Sequence, residues 1–470
     1  MIIISKDTPR DRTLKNIVST IIIMILGFGV FTALDFVFPK KLFTPELLVS
    51  ELIADDEIVR MLTKDSVELA REEISENLPP PPLAFTFPDA PETPTPAQAP
   101  VTVKGMDNFF AKLKILETQN SGKLRIAYYG DSMIEGDFIV QTLRSLFQKK
   151  YGGQGVGIIP ISTPNNVPRR TIRHNFSPNW QYSSILRRGS LPLGITGTVS
   201  FAGENSDTLW VSYKSGTQRI VNPTLIYGKS DNINGKMIVS SQNFYEELPL
   251  NPKNLLNLAK INSKDDSIML KFVGIENIPL YGVEFSATRG VFIDNFALRG
   301  SSGLPLIHLN KNLMNAFQQK YNYDLVVLQF GANVIRPDVA NYRWYSDRMS
   351  GVVRHFRKCF PNADILVISA ADKAARYGSE IKTDTLVYSL LRSQKEYASA
   401  TNASFIDLFS AMGGEGTMAK WIAADPPLGA RDFIHFSPAG ARIIANAIFD
   451  KLEEEFEIFK ERNRKKITTF

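Results

Sequence analysis

Apolar positions along this chain follow two different periods, and the switch between them maps its organisation. The run Asp324–Phe330 (DLVVLQF) is almost continuously apolar, as expected of a strand covered on both faces. Further strand candidates are Leu124–Tyr129 (LRIAYY), Val291–Leu298 (VFIDNFAL), Asp364–Ala370 (DILVISA) and Ala403–Phe409 (ASFIDLF). They alternate with stretches of helical period, the clearest being Ile139–Tyr151 and Ala439–Phe456. From about Ile161 to Glu284 the pattern changes to short alternating runs such as TGTVSFAG, DTLWVSYK and DSIMLKFVG, separated by Gly, Asn and Asp turns. That stretch predicts an inserted β-sandwich.

The N-terminal fifth has a different texture. Ile17–Leu34 carries no charge and extends to Phe38 if Asp35 sits at an interface. About 20 apolar residues in a helix cross a bilayer. Lys6, Arg10, Arg12 and Lys15 precede the run and predict a cytoplasmic N-terminus, although Lys40 and Lys41 follow it. No A-x-A-like cleavage site and no cysteine follow the run, so an uncleaved anchor is expected over a signal peptide or a lipoprotein. An acidic, helix-prone stem comes next, then a proline-dense spacer from Pro79 to Pro100. The expected organisation is a cytoplasmic tip (1–16), an anchor (17–38), a stem and linker (39–102), a folded α/β domain (103–160 with 285–460), the β-rich insert (161–284) and a basic tail (461–470).

Composition adds limits. Hydrophobic residues make up 44% and charged residues 22% of the 470, which suits globular folding. The net charge of +6 is concentrated at the two ends without interleaved aromatics, which argues against a nucleic-acid surface. Cys359 is the single cysteine, so neither an intrachain disulfide nor a Cys-based zinc site is available, and it reads as a small buried hydrophobe.

The candidate chemistry begins where LRIAYY ends in Gly130-Asp131-Ser132, before the Ile139–Tyr151 helix. This geometry exposes a serine at a strand's carboxyl end, at a helix N-terminus where free N–H groups favour negative charge. Far along the chain, Asp432-Phe433-Ile434-His435 precedes Ser437-Pro438, a cap-plus-first-turn pair. A compact loop of that kind can set a carboxylate against Nδ1 of the histidine while Nε2 faces the serine. The other histidines, His174, His308 and His355, lack such a setting. Asn333 follows DLVVLQF in Gly331-Ala332-Asn333, and Gly300 follows Val291–Leu298. An asparagine amide and a glycine N–H at strand ends are candidate oxyanion donors, and each also reads as a plain turn residue. Arg169, Arg170 and Arg336 read as surface or structural charges. Within the insert, Trp180, Tyr182, Trp210 and Tyr213 could face sugar rings or fill the sandwich core.

Taken in order, these pieces resemble the four blocks of the SGNH, or GDSL, hydrolase superfamily. Ser132 matches the nucleophile block, Gly300 the second-block glycine, Asn333 the third-block asparagine, and Asp432 with His435 the Asp-x-x-His block. The sequence departs in reading Asp-Ser-Met in the first block, and in having Val334 where many members have Asp. The long insert, the GDS-x-x-x-GD run (Gly130–Asp137) and the glycine-rich YGGQGVG (Tyr151–Gly157) are similar to bacterial peptidoglycan O-acetylesterases with a carbohydrate-binding-module-like insertion. The resemblance implies a flavodoxin-like three-layer α/β/α sandwich with a parallel sheet. It implies a Ser132–His435–Asp432 triad and an oxyanion hole of Ser132 N–H, Gly300 N–H and the Asn333 amide, with no metal or organic cofactor. The implied activity is removal of O-acetyl groups from an envelope glycan, peptidoglycan first, in the periplasm of a single-pass bacterial inner-membrane protein. A glycan O-acetyltransferase working with a membrane acyltransferase partner, and a non-catalytic glycan-binding protein, are the alternatives.

Overall fold

The computed structural model describes residues 105–468, apart from 165–166, 188–190, 192, 204–208, 338 and 340. The expected anchor, stem and linker lie outside the described residues. Among the described residues, no helix is long and apolar enough to cross a membrane.

Five strands form the central sheet, in the order Gly290–Ala297, Lys123–Gly130, Leu325–Gln329, Asp364–Ile368 and Ser404–Ile406. Every pairing is parallel. Numbered along the chain this is 2-1-3-4-5, the flavodoxin-like order. Successive side chains of a strand point to opposite faces, and both faces are covered. Ile126 and Tyr128 pack with Phe109 and Leu113 of helix Asp107–Gln119, Leu143 and Phe147 of helix Phe138–Tyr151, and Ile448 and Phe456 of helix Pro438–Thr468. Ala127 and Tyr129 pack on the other side with Leu313 of Lys311–Tyr321, Val353 and Phe356 of Arg343–Cys359, and Leu390 of Leu386–Ala400. Three layers result, with the strand order reversing across Lys123–Gly130. A crevice therefore opens beyond that strand's carboxyl end, between the ends of its two neighbours. The last helix runs to Thr468, through most of the expected basic tail. Cys359 is fully buried.

The chain between the first two sheet strands forms two antiparallel sheets. One holds Leu256–Lys260, Thr224–Gly228, Leu280–Phe285, Thr198–Ala202 and Trp180–Ser184, with Gly157–Ile159 also pairing to Leu280–Phe285. The other holds Ile172–Phe176, Trp210–Ser215, Ser267–Val273, Lys236–Ser240 and Tyr245–Pro249. Their facing side chains, among them Val211, Leu270 and Phe272 against Leu225, Val283 and Phe285, make a separate core. Two of the four aromatics offered as sugar-facing belong to this core: Trp180 and Tyr213 are buried, while Tyr182 and Trp210 are half-buried.

The glycine-rich YGGQGVG run is explained by close approach. Gly153 and Gly157 both have positive φ. A Cβ on Gly153 would lie 2.8 Å from the Val291 carbonyl oxygen, and one on Gly157 would lie 2.1 Å from Asp294 Oδ1. Only glycine lets the chain pass this tightly along the second sheet strand as it enters the insert. Asp294 is itself buried there, accepting from Arg125, Tyr323 and the Ile158 N–H.

Candidate active site

Strand Lys123–Gly130 delivers Ser132 to the crevice at the switch point of the sheet. The serine opens a single 3-10 turn, Ser132–Ile134, which Asp131 caps by accepting the Met133 N–H at 3.0 Å. The helix expected over Ile139–Tyr151 is present, but the serine heads this separate turn and not that helix's N-terminus. The helix begins only at Phe138, because Asp137 takes a left-handed conformation (φ 63°) and breaks the run. Asp137 holds that conformation through buried bonds. It pairs with both terminal nitrogens of Arg144 and accepts from Asn295 Nδ2, which also donates to the Ile134 carbonyl. Thr171 of the insert donates to the same carboxylate at 3.3 Å.

The second loop comes from the far end of the chain. Leu428 and Gly429 bond back to the Trp421 carbonyl, Gly429 and Phe436 form an isolated bridge, and Ser437 Oγ accepts from Gly440 N–H at the start of the last helix. Between these ties, Asp432 Oδ1 accepts the N–H groups of Ile434 and His435, both at 2.9 Å. Its Oδ2 lies 2.6 Å from His435 Nδ1, and His435 Nε2 lies 2.7 Å from Ser132 Oγ. The hydroxyl, imidazole and carboxylate therefore stand in one line of hydrogen bonds.

The electrostatics favour that line. Burial alone raises the Asp432 carboxyl, but bonds from the His435 side chain and from two backbone N–H groups outweigh it and hold it at about 2. The hydrogen bond to Asp432 raises the His435 imidazole above its usual value, against burial. A carboxylate that remains ionised fixes the proton on Nδ1 and leaves Nε2 free to accept from the serine.

The two neighbouring strands contribute the flanks. Gly300 follows Gly290–Ala297 in an exposed turn with φ 78° and nothing near its Cβ position. Asn333 follows Leu325–Gln329, and its Nδ2 donates to Asp131 Oδ2 at 3.1 Å and to the Ser301 carbonyl at 3.3 Å. Val334 is buried in the core. Gln394 bonds the Phe330 carbonyl and the Ala370 N–H, clamping two strand ends beside the crevice. Sequence reasoning passed over Asp131 and Asp137. The second aspartate of GDS-x-x-x-GD was their visible signal.

The remaining candidates lie elsewhere. His174 is held near 4 by burial, donates toward the Ile161 carbonyl and stacks on Tyr213 at 5.0 Å. His355 bonds the Leu309 carbonyl, and His308 is exposed on a 3-10 turn. The Arg169 guanidinium is buried close to Asp137, with burial lowering its pKa, and Arg170 and Arg336 are exposed.

With this geometry in view, similarity to known proteins becomes informative. The GDSL-like lipase/acylhydrolase family model matches residues 283–443. That segment starts where the insert ends, so it holds Gly300, Asn333, Asp432 and His435 but leaves Ser132 outside. No curated protein matches the sequence. Among solved structures, a peptidoglycan O-acetylesterase aligns with a TM-score of 0.61 at 20% identity, over 74% of this chain and 96% of its own. A Bacillus subtilis protein aligns at 12% identity over 64% of this chain and 98% of its own, with a TM-score of 0.30. An acetylxylan esterase from Geobacillus stearothermophilus aligns at 19% identity over 34% of this chain and 72% of its own, with a TM-score of 0.27. Residues 283–443 are thus similar to the GDSL-like lipase/acylhydrolase family, and the fold is that of the peptidoglycan O-acetylesterase structure.

Proposed function

We propose that this protein is a serine esterase that removes O-acetyl groups from an envelope glycan, with peptidoglycan as the first candidate. The observation that carries the reading is the 2.7 Å approach of Ser132 Oγ to His435 Nε2, backed by the 2.6 Å bond from His435 to Asp432. In the first half-reaction His435 accepts the Ser132 proton as Oγ attacks the acetyl carbonyl. The tetrahedral oxyanion is held by the N–H groups of Ser132 and Gly300 and by the Asn333 amide. The carbonyl re-forms, the C–O bond to the sugar breaks, and His435 returns the proton to the leaving alcohol. In the second half-reaction water attacks the acetyl-serine, giving its proton to His435, and acetate leaves as that proton returns to Ser132. The glycan reading draws on the β-sandwich insert and on the fold shared with a peptidoglycan O-acetylesterase. Placement in the periplasm, tethered by residues 17–38, rests on the sequence pattern alone.

The test is acetate release from O-acetylated peptidoglycan by the full chain, with Ser132→Ala as control. The wild type should release acetate and the variant should not. Full release by Ser132→Ala, or acetyl transfer to a glycan hydroxyl in place of water, would overturn the proposal.

A further inference from the structure

The Asp131 side chain is 1% exposed and lies beside the nucleophile. Its carboxylate accepts from three donors, one of them the Gly331 backbone N–H. Oδ1 accepts the Met133 N–H at 3.0 Å, and Oδ2 accepts from Asn333 Nδ2 at 3.1 Å. An ionised carboxylate can only accept hydrogen bonds, whereas a primary amide presents donors on one end and an acceptor on the other. The two ends of an asparagine amide have nearly the same shape, so packing scarcely distinguishes them and the hydrogen-bond partners must. Asn333 is exposed, so its surroundings fix it little. Its other Nδ2 proton meets the Ser301 carbonyl at a long 3.3 Å, in the turn that carries Gly300.

We propose that Asp131 is a positioning residue that locks the Asn333 amide with its NH2 group, not its oxygen, toward the reacting carbonyl. This rests on the oxyanion reading of Asn333 given above. With one N–H anchored on Asp131, the second N–H exchanges the weak Ser301 contact for the oxyanion as it forms. Were the amide reversed, Oδ1 would occupy that position and repel the developing charge. Asp131 thus acts through Asn333 and does not touch substrate.

The test is a double-mutant cycle on the full chain in detergent, with p-nitrophenyl acetate as the probe. Asp131→Asn is nearly isosteric. Its oxygen keeps the Met133 N–H bond, which turns its own NH2 group toward Asn333 and forces that amide to reverse. We expect kcat to fall roughly 10²-fold, the cost typical of one lost oxyanion donor. KM should change less than about threefold, since the contact is made in the transition state. In an Asn333→Ala background the same substitution should change kcat less than about threefold, because residues acting as a unit are non-additive. Asp131→Ser, whose hydroxyl both donates and accepts, should show the same coupled loss and serves if Asp131→Asn does not fold. An undiminished kcat in either variant, or an equal loss with and without Asn333, overturns the inference. The Ser132→Ala control separates the two failures: if that variant is inactive while the cycle is additive, the esterase reading stands and the role of Asp131 falls.

Discussion

Ser132 and His435 are separated by 303 positions in the chain, yet Oγ and Nε2 lie 2.7 Å apart. Neither residue belongs to a long regular element: one starts a single 3-10 turn and the other closes a loop before the last helix. The parallel sheet brings them together. Strand Lys123–Gly130 ends at the switch point, and the helix after His435 packs under the same sheet face as helix Phe138–Tyr151. Several consequences are measurable.

The acid limb of the pH–activity profile should report His435. The imidazole must be neutral to accept the Ser132 proton, and its bond to Asp432 raises its pKa above 6.5. Activity should therefore fall as pH drops, with a midpoint above 6.5 in kcat/KM. Asp432→Asn removes the cause, so the midpoint should move down while kcat falls at least ~10²-fold from loss of the correct tautomer. A midpoint that stays put in Asp432→Asn would contradict the assignment. For stability the signs differ. The share contributed by the raised His435 is present at low pH and is lost as pH rises through its folded value. The share contributed by Asp432 is present above the ordinary carboxyl range and is lost as pH falls toward about 2. Both side chains are more than a third exposed, so salt should weaken both effects.

Asn333→Ala should lower kcat roughly 10²–10³-fold, with only a modest fall in melting temperature from the lost bond to buried Asp131. The residue is exposed, so truncation leaves no core cavity. Steady-state kinetics beside a thermal melt decide the point, and a large drop in melting temperature with little loss of kcat would count against it.

Arg144→Ala should destabilise the fold by up to about 3–5 kcal/mol, because it removes the hydrogen-bonded counter-charge of the buried Asp137 carboxylate and leaves Arg169 as the nearby cation. The two side chains are 1% and 0% exposed. Arg144 is the stronger holder of Asp137, and the loss should appear in denaturant unfolding of the folded domain. A change under ~1 kcal/mol would show that Arg169, Asn295 and Thr171 suffice.

Gly157→Ala should fail to fold or melt far below the wild type. The added methyl would meet Asp294 Oδ1 at 2.1 Å on a backbone with φ 80°, so both space and conformation refuse it. Gly300→Ala makes the contrast. It has a similar φ but open space, and should cost only about 1 kcal/mol in the same melts.

Much of the site was legible because its residues lie at strand ends, where local pattern speaks clearly. DLVVLQF before Gly331-Ala332-Asn333 and LRIAYY before Gly130-Asp131-Ser132 each announce a buried strand that stops at a polar turn. Three of the four insert aromatics show the limit. Alternation marks Tyr213, Trp210 and Tyr182 as strand residues but does not say which side of a strand meets the other sheet, and only the packing buried Tyr213.

The sequence by itself determined the candidate residues, the alternation of buried strands with helices and the place of the β-rich interruption, because these follow from local periodicity and turn chemistry, while the parallel sheet was what the family resemblance implied. Only the tertiary structure decided that a separate 3-10 turn at Ser132 precedes the helix, that Asp131 faces Asn333, and that Asp137 is sealed between Arg144, Asn295 and Thr171. Those facts depend on which distant polar groups a buried carboxylate finds, and no local window contains them.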